Sequence, residues 1–200
     1  MKNTMIGSFK GATLAAAISL GGVCSAHAGL VGVKTIEVTN GIGTWLQVAE
    51  VQAFNTAAVN VALASNGATA SAPDSWSSIS MPGKAIDGST AGNYGLGQIF
   101  HEGSNFTHDT LTVTLASAQE LNGLTLWGRT DCCTNRDIYN VVLRDVLGVA
   151  LYAANGLNAT SSTHNVSLDF SHIHVVAEPS SLALFGFGLL GLVGLNRRKK

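Results

Sequence analysis

Several short segments of this chain alternate apolar with polar residues, and this alternation restricts the fold more than any other feature. In "DTLTVTLAS", residues 109–117, Leu111, Val113 and Leu115 share one face and threonines occupy the other. Because successive side chains of a strand point to opposite faces of a sheet, the pattern predicts a half-buried strand. Similar runs are "KTIEVT", "LQVAEVQAF", "NGLTLWG", "YNVVLRDV", "VALYAA" and "HNVSLDF".

Glycine, asparagine, aspartate or serine separates most of these runs, and no long segment between the two ends of the chain has a helical period. About seven short strands with regular turn signals predict an all-β domain of the sandwich type. Helix is expected only as single turns. The loop-rich segment 65–106 interrupts the strands, and we expect it to supply binding residues because loops on rigid scaffolds usually do so.

The amino-terminal end reads as an export signal. Lys2 and Lys10 precede the apolar run "GATLAAAISLGGV", which is followed by the small-x-small sequence Ala26-His27-Ala28. This order of a basic region, an apolar region and a small-residue site is typical of a secretory signal peptide. The sequence therefore predicts a signal peptide over residues 1–28 and a mature chain that begins at Gly29.

The carboxyl-terminal end has three parts: a Glu-Pro turn, the apolar run Leu182–Leu195 and four cations at residues 197–200. The run is short for a bilayer core of about 30 Å, which takes about 20 helical residues, so it predicts a marginal anchor. The cations are expected to hold this end on the cytoplasmic side.

This tail resembles the PEP-CTERM sorting signal of Gram-negative bacteria, with Ala177-Glu178-Pro179 in place of Pro-Glu-Pro. The resemblance implies that residues 178–200 enter the inner membrane transiently and are processed by exosortase-type sorting machinery. It also implies that the protein reaches the cell surface or the extracellular matrix, in association with exopolysaccharide.

Residues 29–177 remain as one exported domain of ordinary size. The whole chain has a formal net charge of -1, and this domain has no cationic stripe that could neutralise phosphates. Nucleic acid is therefore excluded as a partner. Only two cysteines follow the signal peptide, so a packed core rather than a disulfide framework must stabilise the fold.

Charged residues are scarce, at 12% of the chain, yet "GRTDCCTNRDI" at residues 128–138 concentrates them. In one interpretation Asp131 pairs with Arg129 or Arg136 in an exposed turn, worth about 0–1 kcal/mol, and the cysteines are small half-buried hydrophobes. Metal binding is a weaker interpretation, because the two thiols lack a second ligand pair at zinc spacing.

A sugar site is the alternative. Adjacent Cα atoms lie about 3.8 Å apart, below the usual disulfide range of about 4.4–6.8 Å, so a bridge between Cys132 and Cys133 would form a stiff apolar ring. The arginines can donate hydrogen bonds to hydroxyl and ring oxygens, Asp131 can orient them, and the sulfur ring can pack on a C–H face.

The segment "RTDCCTNR" resembles the fucose-binding motif of F-type lectins, the fucolectins. That motif is a histidine, 26 residues, Arg-x-Asp, four residues and then Arg or Lys, often with a vicinal cysteine pair. In this chain 27 residues separate His101 from Arg129. The resemblance implies a non-catalytic lectin whose fucose-like sugar contacts His101, Arg129, Asp131, Cys132, Cys133 and Arg136, with the histidine and arginines as donors.

A second segment, "KAIDGSTAGNY" at residues 84–94, resembles the Ala-x-Asp-Gly loop of the discoidin-like, galactose-binding-like sandwich family that includes these lectins. The resemblance implies a jelly-roll sandwich with a structural calcium ion held by Glu50, Asp87 and Ser89. "WLQVAEVQAF" resembles the family's closing strand, although it precedes "NVALASNGATAS", which resembles the opening. The resemblance therefore also implies a circular permutation.

We also consider two other classes of function. The domain could serve as a structural spacer of the extracellular matrix or biofilm without sugar binding. An enzyme is the third class, but glycosidic cleavage generally uses two carboxylates and the segment "RTDCCTNR" offers only Asp131. No nucleophile elbow or Ser-His-Asp spacing occurs either, so we expect no catalysis.

Overall fold

The alternating runs form strands, as the sequence predicts. The structure, a computed structural model, describes residues 27–103 and 109–175. In chain order the strands are β1 (His27–Ala28), β2 (Leu30–Asn40), β3 (Gln47–Val48), β4 (Glu50–Asn55), β5 (Thr69–Ser71), β6 (Phe100–His101), β7 (Leu111–Trp127), β8 (Ile138–Arg144), β9 (Ala150–Asn158), β10 (Asn165–Asp169) and β11 (His174–Val175). Helical structure in these residues is limited to the 3-10 turns Ala64–Asn66, Pro82–Ile86, Tyr94–Leu96 and Thr134–Arg136.

Strand β7 connects most of the fold, because its two halves have different partners. The first half pairs with β2 and β5, and the second half pairs with β4 and β10. The sequence predicts two separate strands here, "DTLTVTLAS" and "NGLTLWG", but they form one strand of 17 residues. The residues between them stay in the strand because β2 continues to pair with β7 through register shifts around Val33.

The remaining strands extend the main sheet and close small ladders. Strand β8 lies between β2 and β9, so the main sheet has the order β10-β7-β2-β8-β9. The short strands form two further pairs, β1 with β11 and β3 with β6. All pairings are antiparallel, which is the arrangement expected where one face of a sheet is buried and the other is solvated.

The core consists of the inward-facing residues of these strands. Leu111, Val113 and Leu115 are all buried, which confirms the face predicted from their alternation. Besides Leu111 and Leu115, the largest buried side chains are Ile36, Leu46, Ile99, Phe100, Leu121, Leu124, Leu126, Tyr139, Leu143 and Phe170. The mostly-β fold predicted from the sequence is confirmed, with no α-helix among the described residues. Its assignment to the discoidin-like jelly roll remains a prediction.

The sheet has two ends, which we call the pocket end and the far end. At one end Asn40 of β2 pairs with Tyr139 of β8, and the loops before β3 and before β8 meet there; we call this the pocket end. Strand β8 then runs away from the pocket end to Arg144, and the turn that joins it to β9 lies at the far end. None of the helical turns in residues 27–103 and 109–175 could span a membrane. The predicted signal peptide and sorting tail lie outside the described residues, apart from His27 and Ala28.

Candidate functional site

A pocket of about 260 Å³ opens to solvent at the pocket end. It is lined by Trp45, Trp76, Tyr94, His101, Arg129 and Arg136. Of the residues that the sequence predicts for the sugar site, the structure brings His101, Arg129 and Arg136 together in this pocket. The volume is below the range of about 300–1,000 Å³ that is usual for drug-sized ligands, so the pocket suits a single small ring.

Arg129 is held in place from two sides. Its Nε donates to Asp131 Oδ1 at 2.6 Å and its Nη2 donates to Asp131 Oδ2 at 3.1 Å, while its guanidinium lies 4.9 Å from the centre of the Tyr94 ring. The hydrogen bonds from Arg129 lower the pKa of Asp131, which therefore stays ionised. This bidentate pair uses two of the five guanidinium N–H groups and leaves the others available to a ligand.

Arg136 is placed differently. It ends the 3-10 turn Thr134–Arg136, and Asn40 Nδ2 donates to its carbonyl oxygen at 2.8 Å. Its guanidinium lies 4.6 Å from the centre of the Trp45 ring, in cation–π contact. No carboxylate among residues 27–103 and 109–175 forms an ion pair with it. The pocket therefore carries one arginine with a carboxylate partner and one that has none within the described part of the chain.

His101 lies on β6, and its ring stands between those of Trp76 and Tyr94, with centroid distances of 5.6 and 5.8 Å. Burial lowers its pKa, and the charges of Arg129 and Arg136 act in the same direction. The neutral ring donates from Nδ1 to the carbonyl oxygen of Glu102 at 2.8 Å, so Nε2 is an acceptor. The sequence predicts His101 as a donor to the sugar, whereas this tautomer offers it an acceptor.

A buried polar network supports the two arginines from below. Asp137 is fully buried and accepts hydrogen bonds from the Arg129 backbone N–H and from Gln47 Nε2, both at 2.9 Å. Gln47 also donates to the Cys133 carbonyl oxygen at 2.9 Å, and Gly128 leaves the space that the Asp137 carboxyl group occupies. Asp137 and Gln47 thus fix the backbone on both sides of the cysteine pair.

Asp137 makes stability depend on pH. Burial raises its pKa from 3.8 to about 7, so the folded state binds this proton more tightly than the unfolded state does. Stability should be highest when Asp137 is protonated and should fall as pH rises from about 4 to about 7, by an amount on the order of 3 kcal/mol. We predict that Asp137→Asn makes this dependence shallower, as measured by thermal unfolding at about pH 5 and about pH 7, while buried Glu50, whose pKa is also raised, supplies the part that remains.

Asp145→Asn provides the matched control, because Asp145 lies in the surface turn between β8 and β9 at the far end. It should keep the pH dependence of the parent protein. If Asp137→Asn retained the same fall in melting temperature as the parent, the buried carboxyl group would not be its source.

The two predicted platform cysteines form a disulfide between neighbouring residues, Cys132 and Cys133. Cys133 has a left-handed backbone with φ of 57°, and Cys132 is exposed. Neither is among the six lining residues of the pocket. Asp131 does not line it either, but its carboxylate accepts two hydrogen bonds from Arg129, and its role toward a sugar stays a prediction. The disulfide between Cys132 and Cys133 therefore lies in the loop beside the pocket and not in its lining.

The residues predicted to hold calcium lie on a neighbouring loop. Glu50 is fully buried, and both of its carboxylate oxygens lie 3.2 Å from the Gly88 backbone N–H. Burial raises its pKa to about 8, and the charge of Asp87 acts in the same direction. Asp87 accepts from the Ser89 backbone N–H at 2.9 Å and lies 3.9 Å from Lys84 Nζ. The structure thus brings Glu50 close to the loop that carries Asp87 and Ser89.

This loop also contacts the pocket. Thr130 donates from its hydroxyl to the Ala91 carbonyl at 2.7 Å and from its backbone N–H to the Gly92 carbonyl at 2.9 Å. Gly92 has φ of +71°, and a Cβ there would lie 2.7 Å from the Gly128 carbonyl oxygen, so a side chain would push the two segments apart. Loop 87–94 therefore links Glu50 to Tyr94 and the arginines.

The sequence-based prediction of the site misses the three aromatic residues of the pocket, Trp45, Trp76 and Tyr94. A signal was available, because aromatic residues make up only 6% of the chain and these three follow or lie among turn-forming residues. An aromatic side chain in such a loop is often part of a binding surface, since it has no place in the core. Which residues such an aromatic side chain contacts, however, depends on the tertiary fold.

Comparison with known proteins identifies the sorting tail. The family model described as the PEP-CTERM protein-sorting motif matches residues 175–199. No curated protein and no solved structure matches the chain. The match confirms the predicted sorting tail, and with it export, anchoring at the membrane before processing, and handling by exosortase sorting machinery. The matched segment lies almost wholly outside the described residues.

Proposed function

We propose that this exported protein binds a glycan, a fucose-like sugar or an exopolysaccharide that carries one, in the pocket at the pocket end and without catalysis. The observation that carries the proposal is the meeting of two arginines, a neutral histidine and three aromatic rings in one small open pocket. Charge-assisted donors beside aromatic faces suit a ring that has hydroxyl groups on its edge and C–H groups on its face.

The pairing of each arginine with an aromatic ring supports this proposal over an ion-paired turn. A surface ion pair needs only the contact between Arg129 and Asp131, and it gives no role to Arg136 or to the rings. In the structure Arg136 lies over Trp45 and has no carboxylate partner among the described residues. An unpaired guanidinium on an aromatic face keeps all of its donors available to an incoming hydroxyl group.

The F-type lectin resemblance fits the same geometry. Its motif residues come from two separate places in the chain, His101 on β6 and the two arginines in the loop between β7 and β8, and they line one pocket. We propose a discoidin-like, circularly permuted sandwich, in which β4 takes the place of the family's closing strand. The contact between Glu50 at the start of β4 and Gly88 supports this assignment, because the family's closing-strand glutamate belongs beside the Asp-Gly loop.

The chemistry of the pocket lining supports a binding role over hydrolysis. No carboxylate is among the described residues that line the pocket, whereas glycosidic cleavage generally uses two. Asp131, in the loop beside the pocket, is engaged by both Nε and Nη2 of Arg129. We propose on this basis that the bound sugar leaves unchanged.

A glycan array probed with the fragment of residues 29–177 tests the proposal. Binding to fucosylated or related deoxy-sugar glycans, competed by the free monosaccharide, is the expected result. Failure to bind any glycan, with the fragment folded by circular dichroism, would instead favour a structural spacer in the matrix.

A structural calcium ion is part of the proposal. Calcium takes six to eight oxygen ligands, and Glu50 presents a buried carboxylate that no described cationic side chain neutralises. Glu50, Asp87 and Ser89 would hold the ion, together with loop carbonyl oxygens. Among residues 27–103 and 109–175 no three His, Cys, Asp or Glu side chains cluster as a metal site, so carbonyl and hydroxyl oxygens would have to complete it.

We predict that a calcium chelator lowers the melting temperature of the 29–177 fragment. An ion that binds only the folded state stabilises it by mass action, by about 2.7 kcal/mol when its concentration is 100 times Kd. Asp87→Ala should abolish the effect of the chelator, whereas Asp169→Ala, at the end of β10, should preserve it. Identical melting curves of the parent fragment with calcium and with chelator would remove the ion from the proposal.

A further inference from the structure

The turn between β8 and β9 presents apolar side chains to solvent. Val146, Leu147 and Val149 are 66%, 84% and 57% exposed, and we call these three residues the apolar tip. The turn is ordered, because Asp145 Oδ1 accepts from the backbone N–H groups of Leu147 and Val149, both at 2.8 Å. Single exposed aliphatic residues are common on protein surfaces, but three at one turn form a patch that needs a partner.

The described chain ends at the end of the sheet that carries this tip. Strand β11 pairs with β1, which leads directly into the start of β2 at the far end. Phe170, just before β11, packs against Tyr152 with ring centroids 5.1 Å apart. Tyr152 lies near the start of β9, three residues after Val149 of the tip. The last described residues and the apolar tip therefore lie at the same end of the sheet.

Chain length keeps that end near a membrane. The sorting motif begins at residue 175, and its apolar run starts at Leu182. The seven steps from Val175 to Leu182 can span at most about 25 Å when fully extended. While the tail is anchored, Val175 thus stays within about 25 Å of the apolar run, whereas the pocket lies at the opposite end of β8.

We propose that the apolar tip inserts into the interfacial region of a phospholipid bilayer while the sorting tail anchors the chain. The tether gives the tip a high effective concentration at the bilayer, so three aliphatic side chains suffice for a contact that would be weak in a free domain. The contact is apolar rather than electrostatic, because Arg144, at the base of the turn, already pairs with Glu37 at 2.9 Å.

The same end carries further exposed aliphatic residues. Val31 on β2 and Val59 after β4 are 36% and 45% exposed. Both lie near the same point of β7, since Leu30 and Asn55 each pair with Leu121. These valines widen the apolar surface around the start of β2. With this end on the bilayer, the pocket points away from the membrane and toward external glycans.

The test uses the full chain, tail included, in phosphatidylcholine vesicles with brominated acyl chains. Bromine quenches a tryptophan that enters the bilayer, so Leu147→Trp should lose more emission than the parent protein does. Ile42→Trp is the matched control, because Ile42 is 51% exposed in a turn at the pocket end. It should lose no more emission than the parent.

Equal quenching of Leu147→Trp and Ile42→Trp in folded protein would overturn the proposal. If Leu147→Trp does not fold, amide exchange of the parent chain decides the matter: exchange at residues 145–149 should slow when vesicles are added. Unchanged exchange would also overturn it. So would protection that rises with protein concentration in the absence of lipid, since this outcome would assign the tip to contact between copies of the chain.

Discussion

Replacing either pocket arginine by alanine should lower the affinity for the sugar by about tenfold to about a hundredfold, because a hydrogen bond to a charged group contributes about 1.5–3 kcal/mol. Arg129→Ala also removes the partner of Asp131, and Arg136→Ala removes the guanidinium that covers the Trp45 ring. A monosaccharide complex is weak, so loss of either arginine should bring binding near the limit of detection. Isothermal titration with the sugar identified on the array measures the effect.

Arg144→Ala is the matched control, because Arg144 ends β8 at the far end, away from the pocket, and pairs with Glu37. It should bind the sugar as the parent does. Arg136→Lys should retain part of the affinity, since lysine keeps the charge but loses the planar set of donors. Unchanged affinity in a folded double variant, Arg129→Ala with Arg136→Ala, would leave the cluster as an ion-paired turn.

The paired change Cys132→Ser with Cys133→Ser should weaken binding less than either arginine change. Neither cysteine lines the pocket, so the loss is confined to the stiffness of the loop. Gln47 and Asp137 still fix the flanking backbone in such a variant.

Deleting residues 182–200 should release nearly all of the protein into the medium. The matched sorting motif covers this segment, and no described helix could span a membrane. An apolar run is what holds such a chain at the bilayer before processing, and the apolar tip alone is too small to replace it. Immunoblots of the cell and medium fractions measure the redistribution.

The competing sugar must be present in that experiment, so that binding through the pocket does not hold the released domain on surface glycans. Ser180→Ala with Ser181→Ala, just before the apolar run, is the matched control and should leave the distribution unchanged. A truncated protein that stays with the cells in the presence of competing sugar would contradict the role of the tail.

The fold could be predicted from the sequence where local pattern decides it. Alternation in "DTLTVTLAS" gave the buried face of β7, because one side of a strand in a sandwich must face the core. The short strands β1, β5, β6 and β11 escaped prediction, since two or three residues carry no period. The continuity of β7 also escaped it, because that depends on which strands pair with it.

The site was predictable only in part, for a related reason. Arg129 and Arg136 lie seven residues apart, so a local motif identifies them. Trp45, Trp76 and Tyr94 come from three other loops, and only the pairing of β3 with β6 and the docking of loop 87–94 bring them to the arginines. The acceptor role of His101 depends on the carbonyl oxygen of Glu102, and a sequence does not reveal such a contact.

The position of Asp137 beneath the site could not be predicted from the sequence either. In the sequence it is one more acidic residue after a charged loop, whereas in the fold it is fully buried beneath Arg129. Its depth follows from the close approach of Gly128, whose missing side chain makes room for the carboxyl group. Residues that position a site from behind are found through such contacts, not through their spacing in the chain.

A crystal structure of the 29–177 fragment soaked with the sugar identified on the array tests glycan binding in the pocket. We expect a sugar ring in the pocket lined by Trp45, Tyr94 and the two arginines, with guanidinium nitrogens about 2.7–3.2 Å from its hydroxyl oxygens and His101 Nε2 accepting from one of them. An empty pocket at a saturating sugar concentration, or a ring bound elsewhere on the domain, would contradict it.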